Sequence, residues 1–436
     1  MNSNKKILLA FYGDDFTGST DALEFISRAG AKTLLFTETP TQEQLNAFPD
    51  LDAFGVAGKT RALNPETMEE ILIPAFEQMK STRAKHIHYK VCSTFDSSPT
   101  VGSIGKAIDC GARVFNNKRI PVLGGMPALG RYCLFGNLFA KMGIGSNGNI
   151  YRIDRHPSMS EHPVTPMNEG DLRIHLGKQT NKKIGLIDNL QQKAKKREWL
   201  DNIIDEEVVL LDTLNEDELL KIGEWLNAQQ KKHGQLFSVG GSGIEMSLGN
   251  YWNKTGTIKS VNKWKKIHKA NPLLVVSGSC SPVTAGQIAY AKANGFDEVV
   301  MDAMKICNEE VNDETVMKKV NEILSQQKSL IIHTGEKQTD NLSSEKLGTA
   351  LGVIVKGIVK NTRLKRVVIA GGDTSSYAAR AMEIDAVEMI SPLVIGAPLC
   401  IAYSKNKSIN GLEVNFKGGQ VGDENYFEVM MRGDYE

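Results

Sequence analysis

Short apolar runs, many closing on Gly, Asp or Ser, alternate along this chain with polar segments of helical period. KILLAFYG, KTLLFTE, LDAFGVAG, HIHYKVC, KIGLID, EVVLLD and QLFSVGG read as strands in the first half, with helices between them such as Thr20 to Ala29 and Glu216 to Lys231. In the second half LLVVSGS, DEVVMDA, SLIIHTG and RVVIAGG repeat the pattern, followed by LVIGAPLCIAYS and LEVNFKGG. Alternation of buried strands with helices predicts an α/β architecture. Residues 250–271 interrupt it with six lysines, little apolar periodicity and a closing Asn-Pro step, and read as a surface connection. The expectation is a two-domain chain, an α/β domain over residues 1–250 and another over 272–436, joined by 251–271. The stretch from Gly124 to Gly170 is rich in Gly, Pro and Asn and reads as a long functional loop.

Composition narrows the classes. At 436 residues and roughly 150 residues per domain, two domains fit, each able to bury its own core. The 52 Lys+Arg against 51 Asp+Glu leave a net charge of +1, so no global field draws the chain to nucleic acid or membrane. The 6 cysteines form no C-x-x-C pair, which argues against a zinc site or redox dithiol and for a reducing compartment. Met1 to Asp15 is too short and too soon charged for a signal segment, and no run approaches the roughly 18 apolar residues of a membrane helix. A cytoplasmic protein is expected.

Candidate chemistry gathers after the strands. GDDFTGSTD, Gly13 to Asp21, follows the first strand and opens a helix. Ligands of open α/β sheets bind at the carboxyl ends of strands, which is where this order puts Asp14 and Asp15. One carboxylate can take a proton from an alcohol while the other orients a cation or polyol. Alternatively, Thr17 or Ser19 caps the helix and the aspartates are solvated first-turn charges. YKVCSTFDSS, Tyr89 to Ser98, offers Lys90 for an anion and Asp96 and Ser98 for a polyhydroxy ligand, or else a capped helix start. Arg61 stands after a third strand, able to fork onto a carboxylate or simply to carry surface charge. His86 and His88 share one strand face without a third ligand and read as structural, so no protein metal site is expected.

In the second half SGSCSPVTAGQ (Ser277 to Gln287) and AGGDTSSYAAR (Ala370 to Arg380) each lead from a strand into a helix. Small residues there expose backbone N–H groups to an anion, and KGGQVGDENYF (Lys417 to Phe427) can close over it. Capping and tight turns explain any one of these, less readily all three. Gly143, Gly145 and Gly148 satisfy G-x-G-x-x-G, but they follow LFAKM, which reads as helical, so the dinucleotide context is missing. GKT at Gly58 lacks the earlier glycine of a P-loop.

Taken in order, GDDFTGSTD, KVCSTFDS, MPALGR at Met126 to Arg131, SGSCSPVT, GGDTSS and KGGQVGDENYF resemble the four-carbon acid sugar kinase family over nearly the whole chain. The resemblance implies an N-terminal sugar-acid-binding α/β domain and a C-terminal nucleotide-binding α/β domain. It implies phosphorylation of a small acid such as erythronate, threonate, a 3-oxo-tetronate or branched 3-oxo-isoapionate. Carried onto this sequence, it gives Asp14 and Asp15 as catalytic residues and Arg61, Lys90, Asp96, Ser98 and Arg131 as substrate contacts. Ser277, Ser279, Gly371, Gly372, Asp373, Thr374, Ser375 and Gly418 follow as nucleotide contacts.

The expected activity is ATP-dependent, Mg²⁺-assisted phosphoryl transfer to a sugar-acid hydroxyl, governed by positioning and charge neutralisation and completed by domain closure that excludes water. Asp15 is the favoured base and Asp14 the substrate or Mg²⁺ contact, with the two roles exchangeable. Arg61 and Lys90 are candidates for the carboxylate, and the helix starts after Ser279 and Gly372 for the phosphates. The partners expected are a small sugar acid, no nucleic acid and no membrane, with a homodimer allowed. The competing reading is a cytoplasmic sugar-acid sensor that keeps the fold without turnover.

Overall fold

The computed structural model describes residues 6–142, 148–162, 164–193, 205–307, 314–335 and 343–433, with the side chains of residues 314–316 and 373 outside that description. The chain divides into two compact units, Met1–Thr33 with Glu38–Asn262, and Leu34–Thr37 with Lys263–Glu436. Both are mixed α/β. The Leu34–Thr37 segment, read from the sequence as part of the first half, belongs to the second unit. There Leu35 and Phe36 pair antiparallel with Val387 and Ala386.

In the first unit the parallel strands run in the order Ala53–Ala57, Leu9–Gly13, His86–Lys90, Leu236–Gly240, Ile120–Leu123, Val208–Leu211 and Ile184–Ile187. Burial on both faces explains why these strands read as continuous apolar runs and not as alternating ones. Leu9, Ala10 and Phe11 are fully buried, as are Ile87, Phe237 and Val239. Under the strand ends lies an aromatic cluster of Tyr12, Phe76, Tyr89, Phe115 and Phe237, with ring centroids 5.2–6.3 Å apart. Each such buried ring contributes about 1.5–3 kcal/mol relative to exposure, which makes a stiff floor for whatever sits above it.

The strand Leu9–Gly13 is flanked on one side by Ala53–Ala57 and on the other by His86–Lys90. From Leu9–Gly13 the chain's next strand in this unit is Ala53–Ala57, on one side. From its other neighbour, His86–Lys90, the next is Ile120–Leu123, on the opposite side. The crevice above two strands whose connections part in this way is where open α/β sheets bind ligands. The helix Phe16–Arg28 begins two residues past the strand, capped by Asp15 rather than by Thr17 or Ser19. Asp15 is extended and accepts the Gly18 N–H, which locks the turn.

Between Gly124 and Gly170 the long loop expected from composition contains a small antiparallel sheet, Arg131–Leu134, Asn137–Lys141 and Ile150–Arg152. LFAKM, expected to be helical, lies in its middle strand. The burial of that strand alternates, with Leu138 and Ala140 inside and Asn137, Phe139 and Lys141 partly exposed. Five residues carry too little periodicity to separate the two states. Gly143 and Gly145 fall outside the described residues. Ile120–Leu123 is a further strand the sequence reading missed, because Pro121 sits inside it.

The second unit carries a mixed sheet in the order Asp297–Val300, Leu330–His333, Leu274–Ser277, Arg366–Ala370, Glu413–Lys417, Leu399–Tyr403 and Ala386–Ser391, ending on residues 35 and 36. The first five of these strands are parallel. Leu399–Tyr403 and Ala386–Ser391 turn antiparallel. Residues 250–254, assigned to the connection from sequence, complete the helix Gly243–Lys254, held by buried Trp252. Among the described residues no helix is long and apolar enough to cross a membrane.

Candidate active site

Four turns meet above the carboxyl ends of the first unit's central strands. Asp14 follows Leu9–Gly13, and its N–H donates to the Lys90 carbonyl at 2.8 Å while its carbonyl accepts the Arg61 N–H at 3.1 Å. The Cys92 N–H donates to Asp14 Oδ2 at 3.2 Å. Its other oxygen, Oδ1, is buried with no hydrogen-bond partner. Burial, followed by the charge of neighbouring Asp15, raises the Asp14 carboxyl to about 7.

Asp15 is occupied differently. Its Oδ1 accepts the helix N–H of Gly18 and its Oδ2 accepts Arg61 Nη1 at 2.9 Å. Arg61 Nη2 reaches on to Asp96 Oδ2, so one guanidinium ties two carboxylates. Asp96 also accepts Thr94 Oγ1 at 2.5 Å and Thr165 Oγ1 at 3.4 Å. Burial alone would push the Asp96 carboxyl up, but Arg61 and the Thr94 hydroxyl outweigh it and hold it below the usual range.

Lys90, 1% exposed, stands 3.6 Å from Asp21 Oδ2 and donates to the Val91 carbonyl at 2.9 Å. Desolvation works against its charge, yet Asp21 and Asp14 keep its amine protonated, above the usual lysine range. Asp21 in turn accepts Ser242 Oγ at 2.5 Å. Behind Ser242 a fully buried pair, His88 Nδ1 to Glu245 Oε1 at 2.6 Å, with His88 Nε2 at 3.1 Å from the Gly240 carbonyl, fixes the turn after Leu236–Gly240. The structural reading of His88 thus acquires a definite job. His86, equally buried, has its imidazole pushed down to about 3 by desolvation and stays neutral.

Arg131 comes from the small sheet and is 7% exposed. Its Nε donates to Ser93 Oγ at 3.3 Å and its Nη1 to the carbonyls of Leu129 and Lys141, at 2.8 and 3.1 Å. These partners are all neutral. Ser98 stands apart from the rest, since its hydroxyl accepts the Val101 N–H at 2.9 Å and closes a surface turn. Sequence reasoning brought Asp14, Asp15, Arg61, Lys90 and Asp96 to one place, with Thr94 beside Asp96, but missed Asp21, Ser242 and Thr165. Asp21 was visible as the last residue of GDDFTGSTD. Thr165 carries no local signal, because its contact spans 69 residues.

The second unit places its three glycine and serine turns side by side, after the adjacent strands Leu274–Ser277, Arg366–Ala370 and Glu413–Lys417. Ser277 Oγ accepts the Ser279 N–H at 3.2 Å and Ser279 Oγ accepts the Ser281 N–H at 3.3 Å, a ladder that shapes the first turn. Ser281 Oγ is buried without a partner. Gly371 has φ +120°, and a Cβ there would stand 2.8 Å from Thr374 Oγ1. A Cβ on Gly419 would stand 3.2 Å from Ser279 Oγ, so bare glycine keeps the hollow between the turns open. Ser375 turns its hydroxyl back to the Ile369 carbonyl at 3.4 Å. Gly372 opens the helix Gly372–Ala381. The Asp373 side chain lies outside the described residues.

Below Gly418, fully buried Lys417 donates from Nζ to Thr284 Oγ1 at 3.0 Å and to the Gly418 carbonyl at 2.9 Å, and sits 5.5 Å from the centre of the Tyr426 ring. Burial alone lowers its amine to about 7. Gln287 Nε2 ties the first turn's helix to the last loop through the carbonyls of Val421, Gly422 and Asp423. Among the described residues no cluster of three or more His, Cys, Asp or Glu is placed to hold a metal ion.

Comparison with known proteins fits this division. Residues 9–248 match the sugar-binding N-terminal domain family and residues 274–427 the nucleotide-binding C-terminal domain family. The chain belongs to the four-carbon acid sugar kinase family. It is 39% identical to 3-oxo-isoapionate kinase of Paraburkholderia graminis over 98% of this chain and 94% of that one. It is 26% identical to 3-oxo-tetronate kinase of Pseudomonas savastanoi pv. phaseolicola, covering 99% and 98%. Crystal structures of a Salmonella typhimurium LT2 protein (TM-score 0.78, 22% identity, covering 99% and 100%) and a Haemophilus influenzae protein (0.70, 19%, covering 96% and 98%) share the fold. The chain is a sugar-acid kinase, and its nucleotide-binding domain implies ATP as the phosphoryl donor. The sensor reading finds no support among these relatives.

Proposed function

We propose that this kinase moves the γ-phosphoryl group of Mg-ATP to a hydroxyl of a short, oxidised sugar acid, with 3-oxo-isoapionate the first candidate. The observation that carries the mechanism is the Asp14 carboxylate, buried, raised to about 7 and left with one oxygen unpartnered. A base whose pKa lies near working pH combines a sizeable deprotonated fraction with enough basicity to take the proton of an attacking hydroxyl. Asp15 has both oxygens engaged, so the exchange of roles allowed by the sequence goes in favour of Asp14 as base.

Arg61, spanning Asp15 and Asp96, acts as a strut that holds both carboxylates in place and helps keep the Asp96 carboxyl below its usual range. It has less to offer a substrate anion than Arg131, a buried guanidinium with neutral partners, which suits the sugar carboxylate far better. Lys90 adds positive potential at the same edge. In the second unit the Ser279 and Gly371 turns and the Gly418 loop offer backbone N–H groups and hydroxyls to the phosphates, and the unpartnered Ser281 hydroxyl fits that use. Mg²⁺ bound through the phosphates, which offsets charge in transfers of this kind, needs few protein ligands. Free thiols throughout the described cysteines and the need for ATP suit a cytoplasmic setting.

The test is ADP release with Mg-ATP against 3-oxo-isoapionate, 3-oxo-tetronates, erythronate and threonate, each beside a control without acid. Acid-dependent turnover is the expected result, strongest on 3-oxo-isoapionate given the 39% identical relative. If ADP appears at the same rate with and without every acid, the reading fails.

A further inference from the structure

Arg131 reaches the candidate site at the open end of a hairpin, Arg131–Leu134 with Asn137–Lys141. Its Nε and Nη1 are engaged, and Nη2 has no partner among the described residues. Phe135 and Gly136 form the two-residue loop at the other end, with φ of +50° and +80°. Such loops match the twist of the flanking strands and favour Asn-Gly or Gly-Gly, because both residues must be left-handed. Glycine adopts that backbone freely, whereas a phenylalanine is strained there. Burial does not compensate, since Phe135 is 47% exposed. Something other than packing holds the turn.

The holder is Asp212, fully buried just past the strand Val208–Leu211. Its Oδ2 accepts the Phe135 N–H at 2.5 Å and its Oδ1 the Gly136 N–H at 2.9 Å. Successive N–H groups of a turn make a concave nest for an anion, and here the anion is the protein's own carboxylate. The Asn189 N–H adds a third donor to it. Thr213 fastens the same arm through its backbone. The Cys133 N–H donates to the Thr213 carbonyl at 2.9 Å and the Thr213 N–H to the Cys133 carbonyl at 3.0 Å. Cys133 and Arg131 alternate with Tyr132, so they share the buried face of the strand.

We propose that Asp212 is a positioning residue for sugar-acid binding: by closing the strained Phe135–Gly136 turn it sets the strand on which Arg131 is presented. The clamped turn and Arg131 stand at opposite ends of that strand, roughly 10 Å apart. The inference rests on the reading of Arg131 as the carboxylate contact and adds what aims it. An arginine fork grips a carboxylate in a narrow geometry, so a small rotation of its strand weakens the grip and leaves Asp14 and the nucleotide turns alone. An Asn-Gly loop would close the hairpin without a buried acid. The chain instead keeps a strained turn and a desolvated carboxylate, which makes the arm's position depend on one group.

The test is a double-mutant cycle on the full chain, read by steady-state kinetics on whichever of the four acids above the wild type turns over fastest. Asp212→Asn leaves one acceptor where the turn needs two and sets an amide N–H against a backbone N–H. D212N should raise the acid KM about tenfold while kcat and the ATP KM stay within about twofold, the mark of lost uniform binding. Arg131→Met should raise the acid KM by itself, and adding D212N to it should raise it less than about twofold further, since both changes remove the same contact. Phe135→Gly, which takes the turn's backbone without strain, should recover most of the D212N loss. An unchanged acid KM in D212N, an equal rise with and without R131M, or a D212N loss that F135G leaves in place each overturns the inference. A normal acid KM in R131M overturns the reading of Arg131 instead. Should D212N not fold, Asp212→Glu, which keeps the charge and moves the acceptor by one methylene, decides by the same cycle.

Discussion

The two sites are built on opposite electrostatic plans. In the first unit nearly every charge meets another charge, Arg61 with Asp15 and Asp96 and Lys90 with Asp21, all on buried or half-buried side chains. In the second unit the three turns present hydroxyls, backbone N–H groups and bare glycine, and the buried charge among them, Lys417, has neutral oxygens as its partners. The difference follows from what each ligand brings. A sugar acid has one charge and several neutral hydroxyls, so the protein must fix the ionisation of its own groups and leave one base free. A triphosphate brings its charge with it, so the cradle can meet it with dipoles from hydroxyls and backbone N–H groups.

The sharpest way to break that comparison is at Asp14. Asp14→Asn should lower kcat by about 10² to 10⁴, the usual loss of a positioned base, while ATP affinity stays near the wild-type value. The pH profile gives the second readout. Deprotonated Asp14 is the active form, so the wild-type rate should climb with pH and level off above about 7, and D14N should lose that limb. Asp15→Asn keeps a good helix cap and weakens the Arg61 tie, so it should raise the sugar-acid KM with kcat largely spared. A D15N enzyme that loses the rising limb while D14N keeps it would exchange the two roles.

Much of this was legible in the chain, and the reasons are local. The doubly buried strands announced themselves as apolar runs, and residues at or just past the end of each run are the ones the fold gathers, as with Asp14, Arg61 and Lys90. What escaped depended on pairings distant in sequence. No pattern says that Ser242 faces Asp21 across 221 residues, or that Thr165 reaches Asp96. The exchange of Leu34–Thr37 into the second unit was equally hidden, because an apolar run states that it will be buried and not which sheet will bury it. Ser98 taught the reverse lesson. It stood in the right motif, yet its hydroxyl is used to close a turn.

On the other side of the comparison the neutral cradle should be sensitive to shape more than to charge. Gly371→Ala forces a side chain onto a backbone at φ +120° and sets its Cβ 2.8 Å from Thr374 Oγ1. Strain of about 1–3 kcal/mol is typical of such a position. If it falls on the nucleotide-binding conformation, the ATP KM should rise by about 10- to 100-fold, with the sugar-acid KM little changed. A G371A enzyme with a normal ATP KM would show that this turn does not face the phosphates.

The smallest expected effect concerns the cation buried beneath the cradle. Burial lowers the Lys417 amine from 10.5 to about 7, so between those values the unfolded chain binds a proton that the folded chain does not. Stability must therefore rise with pH across that window, because the cost of burying the charge is fully present below about 7 and fades as the folded amine gives up its proton. Denaturant unfolding of the second unit at pH 7 and 9 should show the wild type gaining about 1–2 kcal/mol relative to Lys417→Met, in which the titrating group is absent. Saturating ATP should shrink that gain. Phosphate charge near the Gly418 loop would favour the protonated amine, raise its pKa and move the window upward, and that shift would tie the buried cation to the anion the cradle is built to receive. A pH dependence identical in wild type and K417M, with or without ATP, would instead leave Lys417 a neutral packing element and the contrast between the two sites a matter of hydrogen bonds alone.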